Sequence, residues 1–277
     1  MLYLVFVSFI WAFSFGLIKG RLAGLDSAFI SAARLGLALL VFLPFFRWRG
    51  LTLRLAAMLT AIGAVQFGVM YLAYNESFKL LQAHEVALFT LTTPILVTLI
   101  ADALDRTLRL RALAAALLAV AGTAVIVFSG NPLRPTLTGM ALVQLSNLAF
   151  ALGQVGYKRF RARHGTLRDR DIFALPYLGG LAVALVAMLT HDISVTLNTP
   201  QVLTLLYLGI IASGLGFFLW NIGATRVNAG TLAVMNNAKI PLAVASSLLF
   251  FGESAGLPRL VVSLTLLGTA LWLAEKR

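Results

Sequence analysis

The sequence predicts an all-α integral membrane protein with ten transmembrane helices, arranged as two inverted five-helix repeats. Three observations predict it. First, ten mostly apolar stretches approach the roughly 20 residues that an α-helix needs to cross a bilayer. They lie near 2–19, 28–46, 54–75, 83–101, 110–129, 137–157, 172–190, 202–222, 228–250 and 257–274. Second, Lys and Arg crowd into alternate loops. Fifteen of the 22 fall on the side shared by the two termini and the loops after the second, fourth, sixth and eighth spans; the other side holds five. Basic loops stay in the cytoplasm, so both termini are expected there, although Lys19 and Arg21 locally argue the reverse. Third, landmarks recur between the halves.

Composition agrees. With 60% apolar and 12% charged residues and a mean hydropathy of +0.93, a soluble domain of this length could not hide its apolar surface. The net charge of +12 does not imply a nucleic-acid partner, because the basic residues sit in short loops between spans. Without cysteine there are no disulfides, thiolate metal sites or cysteine nucleophile. Residues 1–18 lack a basic n-region and an Ala-x-Ala-like site, so they predict a first span and not a cleaved signal peptide.

Taken in order, the second span carries Arg34 and closes at Arg47-Trp48-Arg49-Gly50. The third holds Gln66, Tyr71 and Tyr74, and the fourth is interrupted by Pro94. Asn131-Pro132-Leu133-Arg134-Pro135 separates a first repeat, 1–130, from a second, 136–277. The sixth span places Gln144, Asn147 and Gln154 on one face, and the longest basic stretch, 158–170, follows it. The eighth contributes Trp220 and Asn221. Gly122-Thr123-Ala124 in the fifth span answers Gly268-Thr269-Ala270 in the tenth; Ala12 and Lys19 answer Ala151 and Lys158. An odd number of spans per repeat inverts the second copy, an arrangement suited to alternating access.

The ninth span is the most unusual. Residues 233–244 read Ala-Val-Met-Asn-Asn-Ala-Lys-Ile-Pro-Leu-Ala-Val, placing Asn236, Asn237, Lys239 and Pro241 in mid-span. Pro241 removes the donor for the Asn237 carbonyl and is expected to break the helix. Pro94, 147 residues earlier, stands in the corresponding place with Thr90 and Thr93 beside it. Paired proline-interrupted segments in two halves point to a transporter's binding site; the bland alternative is two tolerated kinks.

Trp11-Ala12-Phe13-Ser14-Phe15 with Lys19, Arg34 with an apolar run to Pro44, Leu91-Thr92-Thr93-Pro94 and Phe251-Gly252-Glu253 resemble motifs of the EamA family in the drug/metabolite transporter superfamily. The chain departs from them at Ala12, Ser14 and Leu104-Asp105-Arg106. The resemblance spans essentially the whole chain. It implies export of amino acids, amines, carboxylates or other metabolites, often coupled to an ion gradient.

Buried polar groups in spans are functional candidates. Lys239, Asn236, Asn237, Pro241, Thr90, Thr93, Pro94, Tyr71, Gln66, Asn147, Gln154 and Trp220 are the expected substrate contacts. Arg34, Glu76, His84 and Glu85 are expected at one mouth as a gate or proton-coupling cluster. The many phenylalanines are expected to face lipid or pack. Catalytic motifs such as His-Glu-x-x-His and Gly-x-Ser-x-Gly are absent from the sequence, and its three dispersed histidines do not suggest a metal site; no cofactor is expected. The resulting expectation is a secondary active exporter of a small metabolite, a monomer or homodimer in an inner membrane, coupled to a proton or another ion. The rival is a non-transporting membrane protein, lipid-handling or regulatory, which would spend its polar residues on an outer interface.

Overall fold

A computed structural model describes the backbone of residues 1–12, 14–22, 24–128, 135–190, 196–251 and 257–276. Side chains are described for these except 15, 16, 19, 83 and 243–251. Phe13, the linker residues 131–134, His191, Gly252 and Glu253 therefore lie outside the described residues.

Every regular element among the described residues is helical. The N-terminal region forms α1 (Leu2–Ala12) and α2 (Ser14–Arg21), and α3 (Ser27–Phe42) follows. Asp26 caps α3, its Oδ1 accepting from the N–H groups of Ala28 and Phe29 at 2.8 and 2.9 Å, which satisfies two otherwise unmet donors. Next, α4 (Leu53–Gly63) and α5 (Met70–Leu80) join through a π-helical stretch, Ala64–Val69, into one 28-residue span. Then come α6 (Ala83–Thr90), α7 (Thr93–Asp105), α8 (Leu110–Val127), the 27-residue α9 (Leu137–Arg163) and the short α10 (Asp169–Ile172). After α11 (Ala174–Met188), α12 (Thr199–Leu206) and α13 (Gly216–Thr225) flank a second π-helical stretch, Tyr207–Leu215. The chain closes with α14 (Ala229–Phe251) and α15 (Leu257–Glu275).

Seven of the described helical stretches are long and apolar enough to cross a membrane. The 27-residue α9 and 23-residue α14 are also long, but amides and a lysine interrupt their apolar sequence.

Of the two proline-bearing spans, one matches expectation and one corrects it. The fourth span does break: α6 ends at Thr90 and α7 restarts at Thr93, with Pro94 in its first turn, where a missing N–H loses nothing. The ninth does not. The helix α14 runs through Pro241 without interruption.

Helices meet where side chains are smallest. A Cβ on Gly63 would lie 1.9 Å from the Pro176 carbonyl oxygen, and one on Gly179 1.9 Å from that of Thr60. Glycine lets the α4 span and α11 approach backbone to backbone, a common basis of helix association in lipid. Since backbone atoms cannot step aside, Gly179→Ala must push the helices apart. It is expected to lower stability by about 3 kcal/mol, the upper part of the overpacking range, read as a lowered thermal midpoint in detergent.

The two ends differ. At one, Ile18, Leu22, Phe78, Leu81, Val86 and Leu205 pack into an apolar cluster. At the other, polar contacts tie the helices. Arg109 bridges Asp102 at 3.0 Å and Asp105 at 2.7 Å, and Arg159 on α9 pairs with Asp105 on α7. Lys158 donates to the carbonyls of Ala224 and Val227 beyond the end of α13. Between these ends lies a cavity.

Candidate functional site

The cavity is walled by α1, α2, α3, α5, α6, α7, α9, α13 and α14 and has a volume of about 80 Å³. Two cationic residues line it, Arg34 and Lys239. Arg34 sits mid-way along α3 and is 3% exposed. Its Nε donates to Ser213 Oγ at 3.1 Å and its Nη2 to Tyr71 Oη at 2.5 Å. The guanidinium carbon stands 4.1 Å from the Tyr71 ring centroid, a cation–π contact. Its Nη1 is buried and has no hydrogen-bond partner, and no carboxylate pairs with Arg34 among the described residues. Ser213 comes from the second π-helical stretch, and Tyr71 lies two residues beyond the end of the first. Such π-helical insertions mark functional sites more often than ordinary packing.

Lys239 on α14 places its Nζ 5.9 Å from the centroid of Trp11. That indole donates to the Ala212 carbonyl at 2.9 Å. Its ring lies 5.8 Å from Phe150, 5.2 Å from Phe217 and 4.8 Å from Trp220. Phe150 and Phe217 line the cavity with Trp11, contrary to the expectation that phenylalanines only pack or face lipid. Apolar residues turned to a cavity read like those turned to lipid, so the sequence carries no signal for them.

The break between α6 and α7 forms another wall. Thr90 and Thr93 line the cavity, and both spend their hydroxyl protons on backbone carbonyls, of Val86 at 2.7 Å and Thr90 at 2.8 Å. They therefore present acceptor lone pairs. The carbonyls exposed by the break are met by amides. Phe89 O accepts from Gln144 Nε2 at 3.1 Å and Asn147 Nδ2 at 2.9 Å; Leu91 O accepts from Asn237 Nδ2 at 3.1 Å. Asn147 also faces the cavity.

The remaining expected contacts do not line this cavity. Pro94 sits in the first turn of α7, Pro241 lies inside the continuous α14, and Asn237 holds the Leu91 carbonyl. Gln66 pairs with Asn221, and Gln154, Trp220 and Asn236 bond one another, all of them buried. Gln66 Nε2 donates to Asn221 Oδ1 at 3.2 Å, and Asn236 and Gln154 exchange bonds at 3.1 and 3.2 Å. The Trp220 indole donates to Gln154 at 3.1 Å.

For the residues expected at the mouth, the contacts seen among the described residues are local ones. Glu76 pairs with Lys79 at 2.8 Å within its own helix. Glu85 accepts from the Gln82 N–H at 2.9 Å and caps α6, a capping-box arrangement that the spacing Gln82-x-x-Glu85 spells out. His84 is half-buried with its Nε2 unpartnered. Arg34 is held instead by Tyr71 and Ser213. Glu85→Ala is therefore expected to lower stability by about 1 kcal/mol, as loss of a cap does. Glu85→Gln retains most of that stability in the same thermal unfolding measurement.

The EamA-like transporter family profile matches residues 1–128 and again 137–274. The chain belongs to the EamA-like transporter family. It is a multi-pass membrane transporter. Among relatives of this EamA-like transporter, a Pseudomonas aeruginosa protein named "Probable biotin transporter" is 44% identical over 276 residues, covering 98% of this chain and 96% of that protein. "Biotin transporter" proteins of Salmonella typhimurium and Escherichia coli K12 are each 39% identical, covering all of this chain and 93% of theirs. A solved crystal structure shares the fold, with a TM-score of 0.78 over 99% of this chain and 96% of the other at 20% identity.

Proposed function

We propose that the chain is a secondary active transporter of biotin or a closely related ring-bearing monocarboxylate, working by alternating access. The observation that carries this reading is the buried Arg34 guanidinium, one nitrogen of which is unpartnered in a cavity that also holds Lys239. A carboxylate completes that donor set, since guanidinium binds carboxylate through paired N–H groups. Two cationic side chains in one cavity repel amines, so the anionic members of the expected substrate classes fit and the cationic ones do not. The aromatic wall of Trp11, Phe150 and Phe217 suits a ring. The names of the relatives agree with that chemistry.

On this reading, ten helices form two inverted repeats, 1–130 and 136–277, in an inner membrane with both termini cytoplasmic. The two separate family matches and the charge bias support it. The expectation of export comes from the family resemblance; an alternating-access site faces both sides in turn, so cavity geometry is neutral on direction. A gradient of protons or another ion drives accumulation, and the working unit is a monomer or homodimer. The non-transporting alternative is disfavoured because the unmet polar groups of Arg34 and Ser14 face an internal cavity.

The topology is tested by a single cysteine at Arg163, which should resist an impermeant thiol reagent in intact cells; labelling there contradicts it. The function is tested by counterflow. Proteoliposomes preloaded with biotin should accumulate labelled biotin well above protein-free liposomes. Counterflow of an amine with none of biotin overturns the reading.

A further inference from the structure

Four buried amides in two hydrogen-bonded pairs do not line the cavity: Gln66 in the first π-helical stretch with Asn221 on α13, and Gln154 on α9 with Asn236 on α14. Each is no more than 4% exposed. Gln154 and Asn236 satisfy one another and the Trp220 indole, and Asn221 Nδ2 donates to the Phe217 carbonyl at 2.9 Å. Gln66 is different. Its Nε2 meets Asn221, but its Oε1 is buried without a hydrogen-bond partner. Turning the amide over would set its Oε1 against Asn221 Oδ1, two acceptors, because Asn221 Nδ2 is committed to Phe217; the bare atom is therefore the acceptor Oε1. An apolar side chain of similar shape would avoid that penalty.

Two rings that line the cavity connect it to these amides through aromatic neighbours. Phe217 lines the cavity and stacks at 4.7 Å on Phe67, the neighbour of Gln66. Trp11 lines the cavity and lies 4.8 Å from Trp220, whose N–H is on Gln154. A Cβ on Gly153 would stand 2.0 Å from Gln66 Cβ, so α9 pins the Gln66 stem in place.

We infer that Gln66, supported by Asn221, is a second recognition subsite for the N–H and C=O edge of a cyclic urea, reached when the rings of Trp11 and Phe217 part. The inference rests on the substrate being a biotin-like carboxylate. Biotin carries its carboxylate and its cyclic urea at opposite ends of a short alkyl chain. Gln66 precedes Tyr71, the residue that holds Arg34, by five residues, placing it roughly 7 Å further along the helix axis. A carboxylate on Arg34, which Tyr71 holds from this span, and a urea on Gln66 would thus bind at two levels of the span Leu53–Leu80. A urea N–H can donate to the bare Gln66 Oε1 while its C=O accepts from the amide's Nε2, which has two protons to give. A carboxylate lacking that edge would leave the buried amide unmet.

The test is competition against labelled-biotin counterflow in wild-type proteoliposomes. Desthiobiotin keeps the carboxylate and the urea; lipoate keeps the carboxylate and replaces the urea with a disulfide ring. Lipoate should compete at least about tenfold more weakly than desthiobiotin, because a site built to hydrogen-bond a substrate group rejects analogues that lack it. Gln66→Leu should narrow that gap to about threefold or less by removing the amide that makes the distinction. Wild-type protein on which lipoate competes as well as desthiobiotin overturns the subsite, as does Gln66→Leu with the gap unchanged. The wild-type comparison decides even where Gln66→Leu does not fold. Absence of any biotin counterflow instead overturns the substrate reading beneath it, a separate and visible failure.

Discussion

Arg34→Met is expected to abolish biotin transport without unfolding the protein. Tyr71 Oη and Ser213 Oγ lie 2.8 Å apart and can bond each other once the guanidinium is gone, so neither is orphaned. The substitution also removes a buried cation for which no carboxylate partner exists among the described residues. Breaking a buried pair is costly because a charge is left behind, and here none is. Stability should stay level or rise. A hydrogen bond to a charged group contributes about 1.5–3 kcal/mol, so losing the carboxylate contact alone lowers affinity about 10- to 100-fold. Arg34→Lys should recover only part, since an ammonium cannot offer the planar fork. Thermal unfolding in detergent and biotin flux in liposomes check both halves: a destabilised Arg34→Met would make the arginine structural.

The second large effect concerns Lys239. An ammonium in the middle of a span costs about 2.5–3.5 kcal/mol even on lenient insertion scales. In α14 it faces the cavity and the Trp11 ring. Lys239→Met should therefore give protein as stable as wild type or more so, yet with biotin flux reduced about tenfold or more, by loss of one charge-assisted contact. Normal flux in a stable Lys239→Met would show that the lysine has no part in binding. Strong destabilisation would assign it to packing.

Much of this is legible in the sequence. The apolar runs locate the spans because hydrocarbon leaves little choice of residue, and a cation, an amide or a tyrosine inside a span is conspicuous for the same reason. Arg34, Lys239, Tyr71, Thr90, Thr93 and Asn147 are readable on that ground, and all line the cavity. Proline is an ambiguous sign. Pro94 enters the first turn of a new helix, whereas Pro241 is carried inside a continuous one, and neither local sequence distinguishes the outcomes. The π-helical stretches leave no trace in the sequence, because one extra residue in a turn leaves an apolar run apolar. Ser213, Phe150 and Phe217 are hidden too, since their importance lies in which way a helix face turns. The cap at Glu85, by contrast, is spelled out by its spacing to Gln82, although a carboxylate near a membrane span draws attention first as a proton-coupling group.

The central claim is that this cavity binds substrate through its carboxylate. Competition by neutral derivatives tests it most directly. Biotin methyl ester and biotinamide keep the rings and the chain but carry no negative charge. Against labelled-biotin counterflow in wild-type proteoliposomes, both should compete at least about 100-fold more weakly than biotin, the loss expected when two cationic contacts go unanswered. Neutral derivatives that compete as well as biotin would contradict the account.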